Sequence, residues 1–473
     1  MKIIIKFFAI YLAALLCFSC NDLLVEKPQA IAVETFYNTV GEIEAGVFGV
    51  YQPIRNFGEY LAMIEVSSDI HTGGWGTFLV HGIFQGLDDI NIVRAQNRWG
   101  QFYLAIRNAN IMIQAIPNAS SLSDNEKDIY LAEVMFLRAL TYFHLVRVWG
   151  DIPLRTEENM NELSLPRSPT TEVYNLIISD LEFAERLLPS TVSIVGRPTR
   201  WSAKTLLADV YFYQNQFDKA LEKANEVIQS RQYSLVEVET TDDFEKLYGA
   251  TVVTTPEEIF YFKYHEQDGF GLPTYMHGIG GEYINREGYY CCTMNNESFP
   301  PYINWDDKDL RKALFYPYSG YDPGTLLYKK YIDHGTTASR NSYPQYRYAD
   351  CLLIYAEASC QVSGGPTAEG IEFLNMVHRR AYGYPSTQPS AVDFKLSDYN
   401  KDSFIELCIY ERGWETMGEA KRFFELKRLG KTVAERYVRE NRGLEIAEKH
   451  WLWPIPNSEL NYNDAITYQN PGY

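Results

Sequence analysis

Two stretches of the chain bring aromatic rings together with hydrogen-bonding groups in sequence rich in turn formers. Ser67 to Asn97 holds Asp69, His71, Gly73-Gly74, Trp75 and His81, and Tyr275 to Trp305 holds Tyr283, Arg286, Tyr289, Tyr290, Asn295, Asn296 and Trp305. A flat ring can cover the C–H face of a sugar, while carboxylates, amides or a guanidinium read the hydroxyls around its rim. The residues that suit this chemistry are Trp75, Asp69, Tyr283, Tyr289, Tyr290 and Trp305. The competing role for each tyrosine is packing against a helical lobe. The glycines beside Trp75 leave its ring unsheltered by sequence neighbours, which is unusual for a core residue.

Signatures of catalysis are missing. The chain has no H-E-x-x-H, G-x-S-x-G, P-loop or dinucleotide fingerprint, and Gly278-Ile279-Gly280-Gly281 lacks the required glycine spacing. With 61 acidic residues, pairs of carboxylates are inevitable and give a glycosidase no support. The 8 histidines are scattered, and no cysteine cluster has zinc spacing, so neither a metal nor a cofactor is expected. Asp306, Asp307 and Asp309 read as a solvated acidic turn rather than a calcium site. A formal charge of −18 argues against nucleic acid as a partner.

The N-terminus reads as an address. Lys2 and Lys6 precede the apolar run Phe7 to Leu16, which ends in Cys17-Phe18-Ser19-Cys20. Residues 1–19 are expected to be a signal peptide, and Cys20 resembles the acylated first residue of a bacterial lipoprotein, with a plain secretory cleavage nearby as the alternative. Several acyl chains on Cys20 would anchor the protein to a membrane surface without crossing it, at ~0.8 kcal/mol per buried CH₂. No later run approaches the ~18 to 20 consecutive apolar residues of a membrane span. Cys291, Cys292, Cys351, Cys360 and Cys408 would then remain, an odd number that argues against a disulfide framework. The adjacent Cys291 and Cys292 are either packed thiols or a strained disulfide.

The elements that must carry the loops are helical. Trp201 to Ser230 has Leu207, Ala208, Tyr211, Phe217, Ala220, Ala224 and Val227 at the spacing of a tetratricopeptide repeat. Further helical pairs are predicted near 129–188, 348–381 and 401–428, with the breaker Gly364-Gly365-Pro366 inside the 348–381 pair. The predicted fold class is all-α, a tetratricopeptide-like scaffold whose hairpins stack because none can bury its apolar face alone. Between about 261 and 347 the helical period fades and tyrosine density rises, predicting a loop-rich lobe.

Several of these stretches together resemble the SusD-like (SusD/RagB) lipoprotein family. The residues that carry the resemblance are Ala132 to Leu154, Arg347 to Ala358, Glu411 to Gly430 and Leu452 to Tyr473, with shorter likenesses at Trp99 to Asn110 and Asp309 to Tyr316. Ala420 stands where the family usually has Gly, and Glu425 where it usually has Asp. The resemblance implies a single domain over 20–473 on the outer-membrane surface. It further implies a non-enzymatic protein that captures oligosaccharides for a SusC-like TonB-dependent transporter. Some relatives bind peptides, which stays open as an alternative. In that family the ligand site is typically built from loops in the two aromatic regions, whereas Arg138, Glu411 and Arg412 belong to structural motifs.

Overall fold

Short polar residues set where the helices begin. In a computed structural model, which describes residues 36–74, 76–87, 92–295, 297–335 and 337–473, the principal helices are α1 (Val40–Arg55), α2 (Gly58–Val66), α3 (Ile92–Ala115), α4 (Asp124–Trp149), α5 (Thr170–Leu187) and α6 (Arg200–Tyr213). They continue as α7 (Phe217–Gln229), α8 (Tyr348–Ser363), α9 (Ala368–Ala381), α10 (Lys401–Glu415), α11 (Arg422–Leu429) and α12 (Lys431–Arg442). Thr39 with Glu42 opens α1, and Ser123 with Glu126 opens α4. In each pair both side chains bond the other's backbone N–H. Gly364 ends α8 at φ 74°, a left-handed cap that glycine adopts without steric penalty.

Each helix finds its partner mostly in sequence order. α4 packs between α3 and α5, then α5 on α6, α6 on α7, α7 on α8, and α8 on both α9 and α10. Ala208 and Ala220 are fully buried where α6 and α7 meet, and Phe212 meets Phe217 edge-on at 5.8 Å. Small residues admit the close approach and rings fill the space beside it. The all-α, tetratricopeptide-like fold class is the one the periodicity predicts.

By length and composition α4 is apolar enough to cross a membrane. Its residues from Arg138 to Trp149 are buried against the protein itself, Arg138, His144 and Arg147 included. Arg138 donates to Asp180 at 2.8 Å through both Nε and Nη2. α4 is therefore a core helix.

Between the helices run short strands that the sequence pattern does not announce. They are β1 (Thr72–Gly73), β2 (Ile152–Pro153), β3 (Arg167–Ser168), β4 (Glu258–Phe262), β5 (Cys292–Asn295), β6 (Phe315–Pro317), β7 (Thr325–Tyr328) and β8 (Tyr343–Arg347). One antiparallel sheet runs β1-β5-β7-β6, while β2 pairs with β3 and β4 with β8. The register Thr72 to Thr293 and Gly73 to Cys292 joins the two aromatic stretches, which lie far apart in the chain.

Buried ions tie these strands to the helices. Arg347 is fully buried and reaches Glu257 at 2.6 Å, Glu415 at 2.8 Å and Glu419 at 2.7 Å. Arg380 adds Glu257 at 3.2 Å and Glu415 at 2.5 Å. Glu411 and Arg412 belong to the same kind of structure, pairing with Arg311 at 2.7 Å and Glu357 at 3.0 Å. Breaking one such pair strands a charge in a low-dielectric interior, at ~3 to 5 kcal/mol. The C-terminal segment closes the fold, with Trp149 donating to the Pro454 carbonyl at 3.1 Å and Asn470 to that of Trp453 at 2.7 Å.

Candidate functional site

The chain from Tyr289 to Cys291 runs beside Thr274 to His277, with Tyr289, Tyr290 and Cys291 donating N–H groups to the carbonyls of Thr274, His277 and Tyr275 at 2.7 to 2.9 Å. Tyr290 takes a left-handed φ of 38°, an uncommon conformation for a bulky residue and one that concentrates at functional positions. It turns its ring against Tyr318 and Tyr321, with centroids 5.4 and 5.6 Å apart and planes tilted by 36° and 43°. Tyr321 is 37% exposed, and its hydroxyl donates to the Gly74 carbonyl. A Cβ on Gly74 would lie 2.3 Å from the Tyr290 carbonyl oxygen, so only glycine permits this approach.

A second aromatic group continues the surface. Tyr283 is half-buried and tilts on Tyr316 at 4.6 Å. Beneath it, His277 faces the Tyr331 carbonyl through Nε2 at 2.8 Å and the Tyr316 hydroxyl through Nδ1 at 3.3 Å. The carbonyl can only accept, so Nε2 carries the proton and Nδ1 accepts. Burial pushes the His277 pKa down to about 4, which keeps the ring neutral. The backbone N–H groups of Gly278 and Ile279 donate to the hydroxyls of Tyr316 and Tyr318, each at 3.3 Å, linking the two groups. Tyr289 is 45% exposed and stacks obliquely on Tyr275 at 5.7 Å.

Tilted rings of this kind cannot present one flat plane. They offer a stepped apolar surface bordered by the exposed side chains of Glu282, Arg286 and Asp322. Such a surface suits a ligand with alternating apolar faces and hydroxyl edges. Asn295 stabilises the rim, donating to the Pro323 carbonyl at 2.9 Å and accepting from Ser298.

The sequence-predicted residues divide. Tyr283, Tyr289 and Tyr290 fall in this region. Trp75 lies outside the described residues, as do Asn296 and Cys20. Asp69 requires correction as a ligand contact. It is fully buried, receiving Arg422 at 2.7 and 2.9 Å and Asn441 at 2.8 Å, so both carboxylate oxygens are engaged within the protein. Trp305 is not joined to these tyrosines. It is buried, donates from Nε1 to Asp309 at 2.8 Å, and stacks on Trp414 at 4.1 Å in a separate cavity. Sequence reading missed Tyr318 and Tyr321, although the turn Tyr318-Ser319-Gly320-Tyr321-Asp322-Pro323-Gly324 places two rings on a tight loop.

Asp306, Asp307 and Asp309 turn to different partners, respectively Tyr382, Lys312 and Arg311. Among the described residues no three His, Cys, Asp or Glu side chains converge as metal ligands. Cys291, Cys292, Cys351, Cys360 and Cys408 are all buried free thiols, so Cys291 and Cys292 form no disulfide.

Residues 288–473 match a family model described as the SusD family, and residues 50–212 match one described as starch-binding associating with outer membrane. SusD-like protein P2 of Formosa agariphila is 30% identical over 96% of this chain and 97% of its own length. A SusD homolog from Bacteroides thetaiotaomicron superposes with a TM-score of 0.79 at 22% identity, covering 93% of this chain and 98% of that one. A solved structure called a laminarin binding SusD-like protein gives 0.73 at 25% identity, with 92% and 100% covered.

Proposed function

Since the chain belongs to the SusD family, we propose that it is a cell-surface binding protein that captures oligosaccharides without acting on them chemically. The observation that carries this reading is the stepped surface of Tyr290, Tyr318 and Tyr321, two of them on a tight loop and one held in a left-handed conformation. The laminarin-binding relative supports the ligand class. Trp75 follows Gly74, the residue that accepts from Tyr321, and is proposed as a further stacking residue. Tyr283 and Tyr289 extend the surface on either side.

The captured glycan would pass to a SusC-like TonB-dependent transporter in the outer membrane, to which the protein is tethered through acylated Cys20. A stable complex of that kind would bury upwards of ~2,000 Å². Affinity suited to capture and release lies between millimolar and micromolar, ~4 to 8 kcal/mol.

The test is a glycan-array screen followed by isothermal titration of each hit against the protein and its Tyr290→Ala/Tyr321→Ala variant. Saturable binding by the unaltered protein, lost in the double variant with the unfolding midpoint retained, is expected. Silence across plant, host and microbial glycans, with binding to peptides instead, would overturn the carbohydrate reading.

A further inference from the structure

We propose a second saccharide-binding site, distinct from the tyrosine surface, in a cavity of about 390 Å³ lined by Trp305, Trp414, Tyr382, Phe394 and Asn441. The inference rests on the carbohydrate reading above. Its volume falls within the ~300 to 1,000 Å³ of small-molecule sites, which combine aromatic walls with a few placed polar groups.

The walls are braced from several elements. Trp414 projects from α10 and lies flat on Trp305 at 4.1 Å with planes only 14° apart. Trp305 is itself fixed by its bond to Asp309, so Trp414, which is half-buried, presents a pre-positioned face. His378 on α9 contacts Phe394 and Tyr382, at 4.1 and 4.6 Å, and the Tyr382 hydroxyl donates to Asp306 at 3.1 Å. These rings are ordered before any ligand arrives, which lowers the entropy lost on binding.

Asn441 places an amide in the cavity wall. It is only 7% exposed, and its Nδ2 donates to Asp69. A carboxylate only accepts, so the amide orientation is fixed. Asn441 lines both this cavity and an adjoining one of about 180 Å³. The adjoining cavity includes Thr72, Thr293 and Asn295 from the paired strands β1 and β5. With Nδ2 committed to Asp69, the amide oxygen is the acceptor that Asn441 can offer a ligand hydroxyl.

Charge selects the kind of saccharide. Asp306, Asp309 and Glu411 line the cavity with Arg311, whose guanidinium is shared among Asp309, Glu411 and Glu415 at 2.6, 2.7 and 3.3 Å. Acidic groups outnumber the single arginine, so a uronate or sulfated unit is repelled and an uncharged one admitted.

The experiment titrates the protein with neutral β-1,3-, β-1,4- and α-1,4-gluco-oligosaccharides of three and six units, and with galacturonic acid oligomers of the same lengths. The expected result is about tenfold weaker hexasaccharide binding in Trp414→Ala and in Leu407→Trp, which fills the cavity from a residue that lines it, with trisaccharide binding at the tyrosine surface and the unfolding midpoint unchanged. Tyr382→Phe, which removes one hydroxyl, keeps the test readable if Trp414→Ala misfolds, and a two- to fivefold loss is expected. Failure of every glycan to bind the unaltered protein overturns the functional reading itself. Hexasaccharide binding that is unchanged in Leu407→Trp and Tyr382→Phe overturns the second site alone. Preference for the galacturonic acid oligomers, or a peptide that alone is sensitive to Leu407→Trp, overturns the neutral-saccharide assignment.

Discussion

Replacing Asp69 by Ala should damage the fold and leave no direct signature at the proposed tyrosine surface. The carboxylate is fully buried and receives three hydrogen bonds, two from Arg422 and one from Asn441. Its removal leaves Arg422 with Glu425 at 2.7 Å as its remaining anionic partner. Breaking a buried pair in this way costs ~3 to 5 kcal/mol. At ~2.1 cal/mol/K per residue, the unfolding entropy of a domain this size is about 1 kcal/mol/K, so the thermal midpoint should fall by about 3 to 5 °C. Asp69→Asn, which keeps two acceptor lone pairs but loses the charge, should fall by less. Calorimetry paired with isothermal titration below the new midpoint separates the two roles. A variant of unaltered stability that binds glycan more than tenfold worse would refute the structural assignment and restore Asp69 as a ligand contact.

Other outcomes follow from the same geometry. Tyr290→Ala with Tyr321→Ala should weaken glycan binding at least tenfold, read by titration, with far-ultraviolet circular dichroism unchanged. Acid should destabilise the protein over a defined window. Burial pushes the Glu415 carboxyl up, but Arg380, Arg347 and Arg311 outweigh it and hold the pKa at about 2. Glu411 is likewise held at about 2, its burial outweighed by Arg311 and His378. Their stabilisation is complete above the ordinary carboxylate pKa and is lost as pH falls from about 4.5 towards 2, so denaturant midpoints should decline through that range. Ala420 has a φ of 55°, so Ala420→Gly should relieve a left-handed penalty of ~1 kcal/mol and stabilise by about 0.5 kcal/mol after the added freedom of the unfolded chain. A thiol reagent should find Cys291, Cys292, Cys351, Cys360 and Cys408 unreactive in the native protein and all five reactive after denaturation. Early reaction at Cys291 would show that its segment opens.

The helical scaffold was legible because its signals are local. Leu207, Ala208, Tyr211 and Ala220 repeat on a helical period, and Gly364-Gly365-Pro366 marks a break that the structure places after α8. The strands were not legible, since β1 has two residues and β5 four, too short for alternation to register. Aromatic density located the region of the tyrosine surface but could not rank its members. Asp69 illustrates why. Its sequence neighbours Ser67, Ser68 and Thr72 read as a polar loop, whereas its true environment is supplied by Arg422 and Asn441. Trp414 was hidden for the opposite reason, lying within a helix whose neighbours Glu411, Arg412 and Glu415 are spent on ion pairs.

The bond between Asp69 and Arg422 joins residues 353 positions apart, and Glu65 accepts from the Ala420 backbone across 355. Contacts of such separation form late, because loop closure must precede them. During synthesis the chain cannot finish the first loop until its last helices have emerged, however early the hairpins between α4 and α7 take shape. Completion of the tyrosine surface is therefore coupled to the arrival of the C-terminal segment. Loss of a short stretch beyond residue 410 would leave a helical torso with an unassembled face, even though every tyrosine of that face had already been made.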